Sequence, residues 1–186
     1  MKKNSIPWAQ ILIPFVIVAI LVVLWFLKNA QPESDAPSIT EPTGTVADHL
    51  QNADFSLNAT EQIDFAARSE YGLPIIVDYG SDSCIPCKKM APVLVKLNAE
   101  MRGKAFIKFV DVWEHYEAAG NVPLQMIPTQ FFVNADGTPF IPSDALAAEI
   151  VFKMEYDQSG NHAFTSHTGG LTEEQMRMIL KEMGVQ

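Results

Sequence analysis

Cysteine is scarce in this chain, with 2 among 186 residues, at Cys84 and Cys87. A zinc site on that pair would need two further ligands, and His49, His115, His162 and His167 show none of the close pairing that zinc motifs use. A structural bridge across so short a loop would stabilise little, because loop-closure entropy shrinks with the loop. Two readings of the pair stay open: a reversible dithiol, and a soft Cu(I) site completed by a distant histidine such as His115 or His167. Basic charge is scarce as well, 13 Lys+Arg against 22 Asp+Glu for a formal net charge of -9. Every acid lies after residue 32, while Lys2, Lys3 and Lys28 flank an N-terminal apolar run, so the remaining 10 basic residues against 22 acids leave -12. Such a surface repels phosphate backbones, which argues against nucleic-acid binding. No internal repeat is present.

Charge is absent altogether from Asn4 to Leu27. At about 1.5 Å per residue, the stretch Ile6 to Leu27 is long enough as a helix to cross a hydrocarbon core of roughly 30 Å. Lys2 and Lys3 precede it and the acids follow, so the positive-inside rule predicts a single-pass anchor, with the N-terminus cytoplasmic and the rest extracytoplasmic. Trp8 and Trp25 sit near its ends as interfacial anchors. The alternative is a cleaved signal peptide, but an h-region is shorter, and Phe26-Leu27-Lys28-Asn29-Ala30 makes a poor small-x-small cleavage site. Residues 1–28 are thus expected to be the cytoplasmic start and anchor. Residues 29–52, with Pro32, Pro37 and Pro42 among Ser, Thr and acids, read as a flexible tether. Residues 53–186 remain for one folded domain.

Within that domain, Phe55-Ser56-Leu57 reads as a short strand and Asn58, with Glu61 three residues on, as the N-cap of a helix ending at Gly72. Ile75 to Tyr79 is a short apolar run, as a buried strand would be, and feeds Ser83-Cys84-Ile85-Pro86-Cys87-Lys88. A helix is expected from Cys84 to Met101 with Pro92 inside it, and two thiols at i and i+3 on its first turn can close a disulfide with little backbone movement. Ala105 to Asp111 is the next strand, then a short helix near Glu114 to Ala119. This βαβαβα order predicts a sheet whose first three strands are parallel. Met126-Ile127-Pro128-Thr129 leads into the strand Thr129 to Val133, and Asn134-Ala135-Asp136-Gly137 is an antiparallel turn signal. An inserted, hairpin-like segment over 137–160 precedes the last strand, His162 to Ser166, and is expected to be a partner-docking surface. The final helix opens with a capping box from Thr172 to Gln175 and buries Met176, Ile179, Leu180 and Met183.

From about Phe55 to Val185 the chain resembles the thioredoxin-like family. The resemblance rests on Asp78 six residues before Cys84, on Cys-Ile-Pro-Cys with Lys88, on Pro92 and on Ile127-Pro128-Thr129. It implies an α/β fold, a central mixed sheet flanked by helices. It also implies the roles of nucleophile for Cys84, resolving thiol for Cys87, buried proton-transfer acid for Asp78 and cis-proline for Pro128. Ser83, Ile85, Pro86, Ile127 and Pro128 would then meet an extended partner segment, with Ser83 where the family often has tryptophan. Lys108, on a strand near the core, is placed to tune Asp78 or to snorkel. No cofactor or metal is implied beyond the Cys84–Cys87 disulfide. The run His167 to Met176 resembles proteins associated with CcdA-type membrane electron carriers, which implies a membrane-bound reductase of exported protein disulfides, as in cytochrome c biogenesis.

Overall fold

The computed structural model describes residues 53–186 together with Val22. Apart from Val22, the expected anchor over 1–28 and the tether over 29–52 lie outside the described residues. Among those that are described, no helix is long and apolar enough to cross a membrane.

Five strands form one sheet: β1 Ile75–Gly80, β2 Phe106–Asp111, β3 Thr129–Val133, β4 Lys153–Tyr156 and β5 His162–Thr168, in the order β2-β1-β3-β5-β4. β1 and β2 are parallel, and every other pairing is antiparallel, so the sheet is mixed as expected. β1 is buried on both faces along its whole length, which is why its sequence is a continuous apolar run. Within residues 53–186 four helices accompany the sheet: α1 Phe65–Ser69, α2 Ile85–Glu100, α3 Asp144–Glu149 and α4 Glu173–Glu182.

Strand alternation divides the core in two. Ile76, Ile107 and Phe132 face Met90, Leu94 and Leu97 of α2 and Met176, Ile179 and Leu180 of α4. Ile75, Val77, Tyr79, Phe106, Val110 and Phe131 face the other way, toward Phe55, Ile63 and Ala118. In α2 the buried positions Cys87, Met90, Leu94 and Leu97 recur every three or four residues, one stripe of a helix. Pro92 lies on its exposed side, where the Lys88 carbonyl left without an amide partner can turn to water.

Three expectations at the start of the domain and after β2 are corrected. Ala53–Phe55 is a 3-10 turn, and the expected strand reduces to one parallel bridge, Asn58 to Phe109. Phe55 turns inward instead and stacks on Phe106 with ring centroids 4.5 Å apart, which the extended course of a longer strand would not allow. The N-cap of α1 is Asp64, whose carboxylate accepts from the Ala67 amide at 3.0 Å, because the backbone around Asn58 is already engaged with β2. The short helix before Gly120 is a 3-10 turn over Tyr116–Ala119.

The insert is built into the fold. Phe140, Leu146 and Ile150 are buried in the α2/α4 half of the core, and the Ser143 hydroxyl donates to Glu182 of α4 at 2.8 Å. Beyond α3 the chain forms the edge strand β4 and returns as β5 in the expected hairpin. α4 has both capping-box bonds, Thr172 Oγ1 accepting from the Gln175 amide and Gln175 Oε1 from the Thr172 amide. Replacing Thr172 by Ala should therefore cost about 1 kcal/mol, seen as a lower urea midpoint with an unchanged m-value.

Candidate active site

The parallel strands β1 and β2 end at the same edge of the sheet, at Gly80 and Asp111. The loop leaving β1 is held there by its own backbone and by Asp111. The Cys84 amide donates to Ser81 O at 3.1 Å, and the Asp82 amide donates to Asp111 Oδ2 at 2.8 Å. Asp111 Oδ1 accepts from the Trp113 and Glu114 amides, so one carboxylate pins both loops. Burial works against its charge, yet the donors from Asp82, Trp113, Glu114 and Ser81 outweigh that and hold Asp111 below the usual carboxylate range.

Cys84 is the N-cap of α2, with extended backbone, and its Sγ accepts from the Cys87 amide at 3.4 Å. Pro86 fits the first turn because an amide there has no helical acceptor to lose. The two cysteines are joined by a disulfide with Cα atoms 5.2 Å apart. Their exposure differs, and the difference fixes which sulfur a partner can reach: Cys84 is partly exposed, whereas Cys87 is 4% exposed. Ser83, Ile85 and Pro86 are exposed around Cys84, with Ile85 at 71%. A cleft of about 170 Å³ reaches Cys87 from the β2 side, lined among others by Leu57, Ser81, Lys88, Leu94 and Phe109.

Asp78 lies beneath this turn and is 0% exposed. Its Oδ1 accepts from Gln130 Nε2 at 2.6 Å, and its Oδ2 has no hydrogen-bond partner. Burial pushes its pKa up from 3.8 to about 6, against the opposing pull of the Gln130 hydrogen bond. Gly80 closes the distance to the sulfurs. A Cβ at that position would lie 3.2 Å from Cys87 Sγ, 3.4 Å from Asp78 Oδ2 and 2.9 Å from the Phe109 ring, so only glycine fits the space that the sulfur, the carboxylate and the ring all border.

The Ile127–Pro128 peptide is cis. Thr129, the next residue, pairs with Tyr79 at the end of β1, so this turn lies at the same sheet edge as Cys84. Pro128 is buried and its carbonyl accepts from the Gly169 amide at 2.9 Å, while Ile127 is half-buried. Cys84, Cys87, Asp78, Ile127 and Pro128, with Ser83, Ile85 and Pro86, thus converge on one end of the sheet.

Lys108 does not join them. It pairs with Val77 and therefore shares the sheet face opposite Asp78, where its Nζ donates to Ser56 O at 2.6 Å. Burial, with the charge of Arg68, pushes its pKa down to about 8. Of the described histidines, His115 is exposed after β2, His162 contacts Thr165, and His167 Nδ1 lies 2.8 Å from Val151 O. Among the described residues no group of three or more His, Cys, Asp and Glu could hold a metal ion. Three participants were not foreseen: Gln130, Gly80 and Asp111. Gln130 has a sequence signal, an amide directly before the large apolar run Phe131-Phe132-Val133. Gly80 and Asp111 have none beyond their places at strand ends.

A cysteine pair at a helix start, one sulfur reachable and one shielded above a buried acid, defines a thiol-disulfide oxidoreductase site on an α/β sheet. A sequence model of the family described as Thioredoxin matches residues 58–154, and the chain belongs to the thioredoxin family. Thioredoxin of Bacillus subtilis (strain 168) is 38% identical over 96 residues, covering 48% of this chain and 89% of its own. Thioredoxin of Staphylococcus aureus (strain Mu50 / ATCC 700699) is 39% identical over 90 residues, covering 45% and 85%. The crystal structure of a poplar thioredoxin h aligns with 70% of this chain and 97% of its own, at 17% identity and a TM-score of 0.46. The chain is accordingly a thiol-disulfide oxidoreductase, of a family that acts on protein disulfide substrates.

The buried carboxylate has a measurable cost. A raised folded-state pKa leaves stability intact below pH 3.8 and removes it as pH climbs through about 6. At one unit per 1.36 kcal/mol the loss amounts to about 3 kcal/mol. Asp78→Asn should therefore be more stable than the parent at pH 7.5 by up to that amount and equal to it near pH 3.5, by urea unfolding of the oxidised forms. An equal gain at both pH values would rule out the ionised carboxylate as its source.

Proposed function

We propose that this chain is a membrane-anchored, extracytoplasmic reductase of exported protein disulfides that is recharged by a CcdA-type membrane electron donor. The observation that carries the redox half of this reading is the pairing of a partly exposed Cys84 with a shielded Cys87, whose Sγ borders the same space at Gly80 as Asp78 Oδ2. The apolar run 6–27, with lysines only on its N-terminal side until Lys28, supports the anchor and its orientation. The run His167 to Met176 resembles proteins found with such donors, which supports the direction of electron flow.

The Cys84 thiolate, stabilised by amides of the first turn of α2, attacks one sulfur of a partner disulfide. The partner's S–S bond breaks, its first thiolate leaves, and a mixed disulfide on Cys84 remains. Extended partner backbone docks along Ile127 and the cis-Pro128 turn, with Ser83, Ile85 and Pro86 forming the opposite rim. Cys87 then gives its proton to Asp78 and attacks Cys84 Sγ. The Cys84–Cys87 bond forms, the partner's second thiolate leaves, and both partner sulfurs are reduced. Two electrons from the membrane donor return the pair to the dithiol. Acceptance of the proton needs an acid that is ionised at neutral pH yet basic enough to take it, which a pKa of about 6 provides.

Insulin reduction by the full-length chain should be lost in Cys84→Ser, while Cys87→Ser should accumulate mixed disulfides without turnover. The pair should have a reduction potential near that of thioredoxin, about -270 mV, whereas a value near about -120 mV would reverse the proposed direction. In intact spheroplasts of an expressing cell, protease added outside should remove the domain, and the chain should sediment with membranes at high salt. Protection from that protease would overturn the extracytoplasmic placement.

A further inference from the structure

β3 reads Thr129, Gln130, Phe131, Phe132, Val133, with one amide among large apolar side chains. Gln130 is 0% exposed, and its partners in the sheet are Asp78 on β1 and His167 on β5, so its side chain stands between theirs on one face. Its Nε2 donates to Asp78 Oδ1 at 2.6 Å and to Gly169 O at 3.1 Å, and lies 3.4 Å from Met90 Sδ. With Asp78 ionised, both it and Gly169 O are acceptors, which sets Nε2 rather than Oε1 toward them and leaves Oε1 buried without a partner. Gly169 is itself fixed by donation of its amide to Pro128 O. One side chain therefore ties the buried acid to the loop that packs on the cis-proline.

We propose that Gln130 is a positioning residue for the resolving step: by holding Asp78 Oδ1 it keeps Oδ2 turned toward Cys87 and stabilises the carboxylate form that takes the Cys87 proton. This rests on the reading of Asp78 as proton acceptor. The step is balanced: the Cys87 S–H bond breaks, the proton goes to Asp78 Oδ2, the new thiolate forms a bond to Cys84 Sγ, and the Cys84–partner S–S bond releases the partner's thiolate. Few other groups that titrate or carry charge face Asp78 from the elements packed around it. α2 presents Cys87, β5 presents His167 beyond Gln130, and β2 presents the Phe109 ring and, at the strand end two positions on, the Asp111 carboxylate held by backbone amides, with Lys108 on the opposite face. A donor to the carboxylate form is thus supplied by Gln130 alone among the described residues. Without it, burial acts unopposed on Asp78 and the acid binds its proton more tightly.

The test is the pH profile of the reduced, full-length chain reacting with dithionitrobenzoate, whose first phase reports attack by Cys84 and whose second reports resolution by Cys87. Gln130→Leu should move the midpoint of the second-phase profile upward by about one pH unit and leave the first phase unchanged. In an Asp78→Asn background, Gln130→Leu should move nothing. A wild-type midpoint in Gln130→Leu, or the same shift without the Asp78 carboxylate, overturns the proposal while leaving the role of Asp78 intact. Second-phase rates in Asp78→Asn equal to wild type at every pH would instead overturn the proton-acceptor reading itself. If Gln130→Leu does not fold, nuclear magnetic resonance of the unaltered chain decides. The Gln130 side-chain amide must titrate with the midpoint of the Asp78 carboxyl carbon, and an amide resonance flat through that midpoint overturns the proposal.

Discussion

Asp78 places a carboxylate in the middle of a sheet, between β2 and β3 and under the first turn of α2, with no path to water of its own. Burying an ion costs several kcal/mol unless hydrogen bonds or an opposite charge offset it. Here the offset is one amide hydrogen from Gln130, and a second carboxylate oxygen is left without a partner. Keeping the proton is the cheaper alternative over much of the pH range, and the pKa of about 6 expresses that balance. The neighbours preserve it. Phe109 covers the acid with a ring, Gly80 adds no side chain, and the one buried lysine of β2 faces the other half of the core. Had Lys108 been shifted by one position along its strand, it would have stood beside Asp78 and held it ionised.

The sheet edge above the acid gathers everything else. Parallel β1 and β2 both run toward that edge, so the loops leaving them are adjacent, and antiparallel β3 begins there. Three loops, 81–84, 111–114 and 126–128, therefore lie at one end of the sheet. The β5–α4 connection comes to the same place through Gly169, which bonds to Pro128 by its amide and to Gln130 by its carbonyl. α2 then starts with its free amides at the sulfurs, and its buried stripe from Cys87 to Leu97 holds that start against the sheet. The insert adds core at the far side, through Phe140, Leu146 and Ile150, and an edge strand beyond β5, leaving the edge with the sulfurs undisturbed.

Signals that are local in sequence were legible. The apolar run of β1, the i, i+3 cysteines at a helix start, the turn at Asn134 to Gly137 and the Thr172 capping box each depend on a few adjacent residues, and each is present. What failed depended on partners far along the chain. Asn58 with Glu61 has the right spacing for a helix start, but the backbone around Asn58 is taken by Phe109, and Asp64 caps the helix instead. Phe55 to Leu57 has strand composition, yet stacking on Phe106 turns the chain after a single bridge. The same limit applied at the site. Spacing and family resemblance singled out Cys84, Cys87, Asp78 and Pro128, which the fold brings to one end of the sheet. The face on which Lys108 stands and the acid that Gln130 meets follow from strand register, which no single strand encodes.

Two aspartates one strand apart show how register and donors divide roles at this edge. Asp111 ends β2 opposite Gly80, and backbone amides from Asp82, Trp113 and Glu114 converge on it, so its charge is secure and it serves as a fixed pin between loops. Asp78 lies two positions earlier on β1, where strand amides are already spent on neighbouring strands and none can turn to it. Only a side chain from the facing strand can reach the carboxylate, and a single amide hydrogen is too little to secure the charge. Identical functional groups thus differ by what the backbone around them has left to donate. A loop end has amides to spare and makes an anchor, whereas a strand interior has none and makes an acid poised near neutrality beneath the cysteine turn.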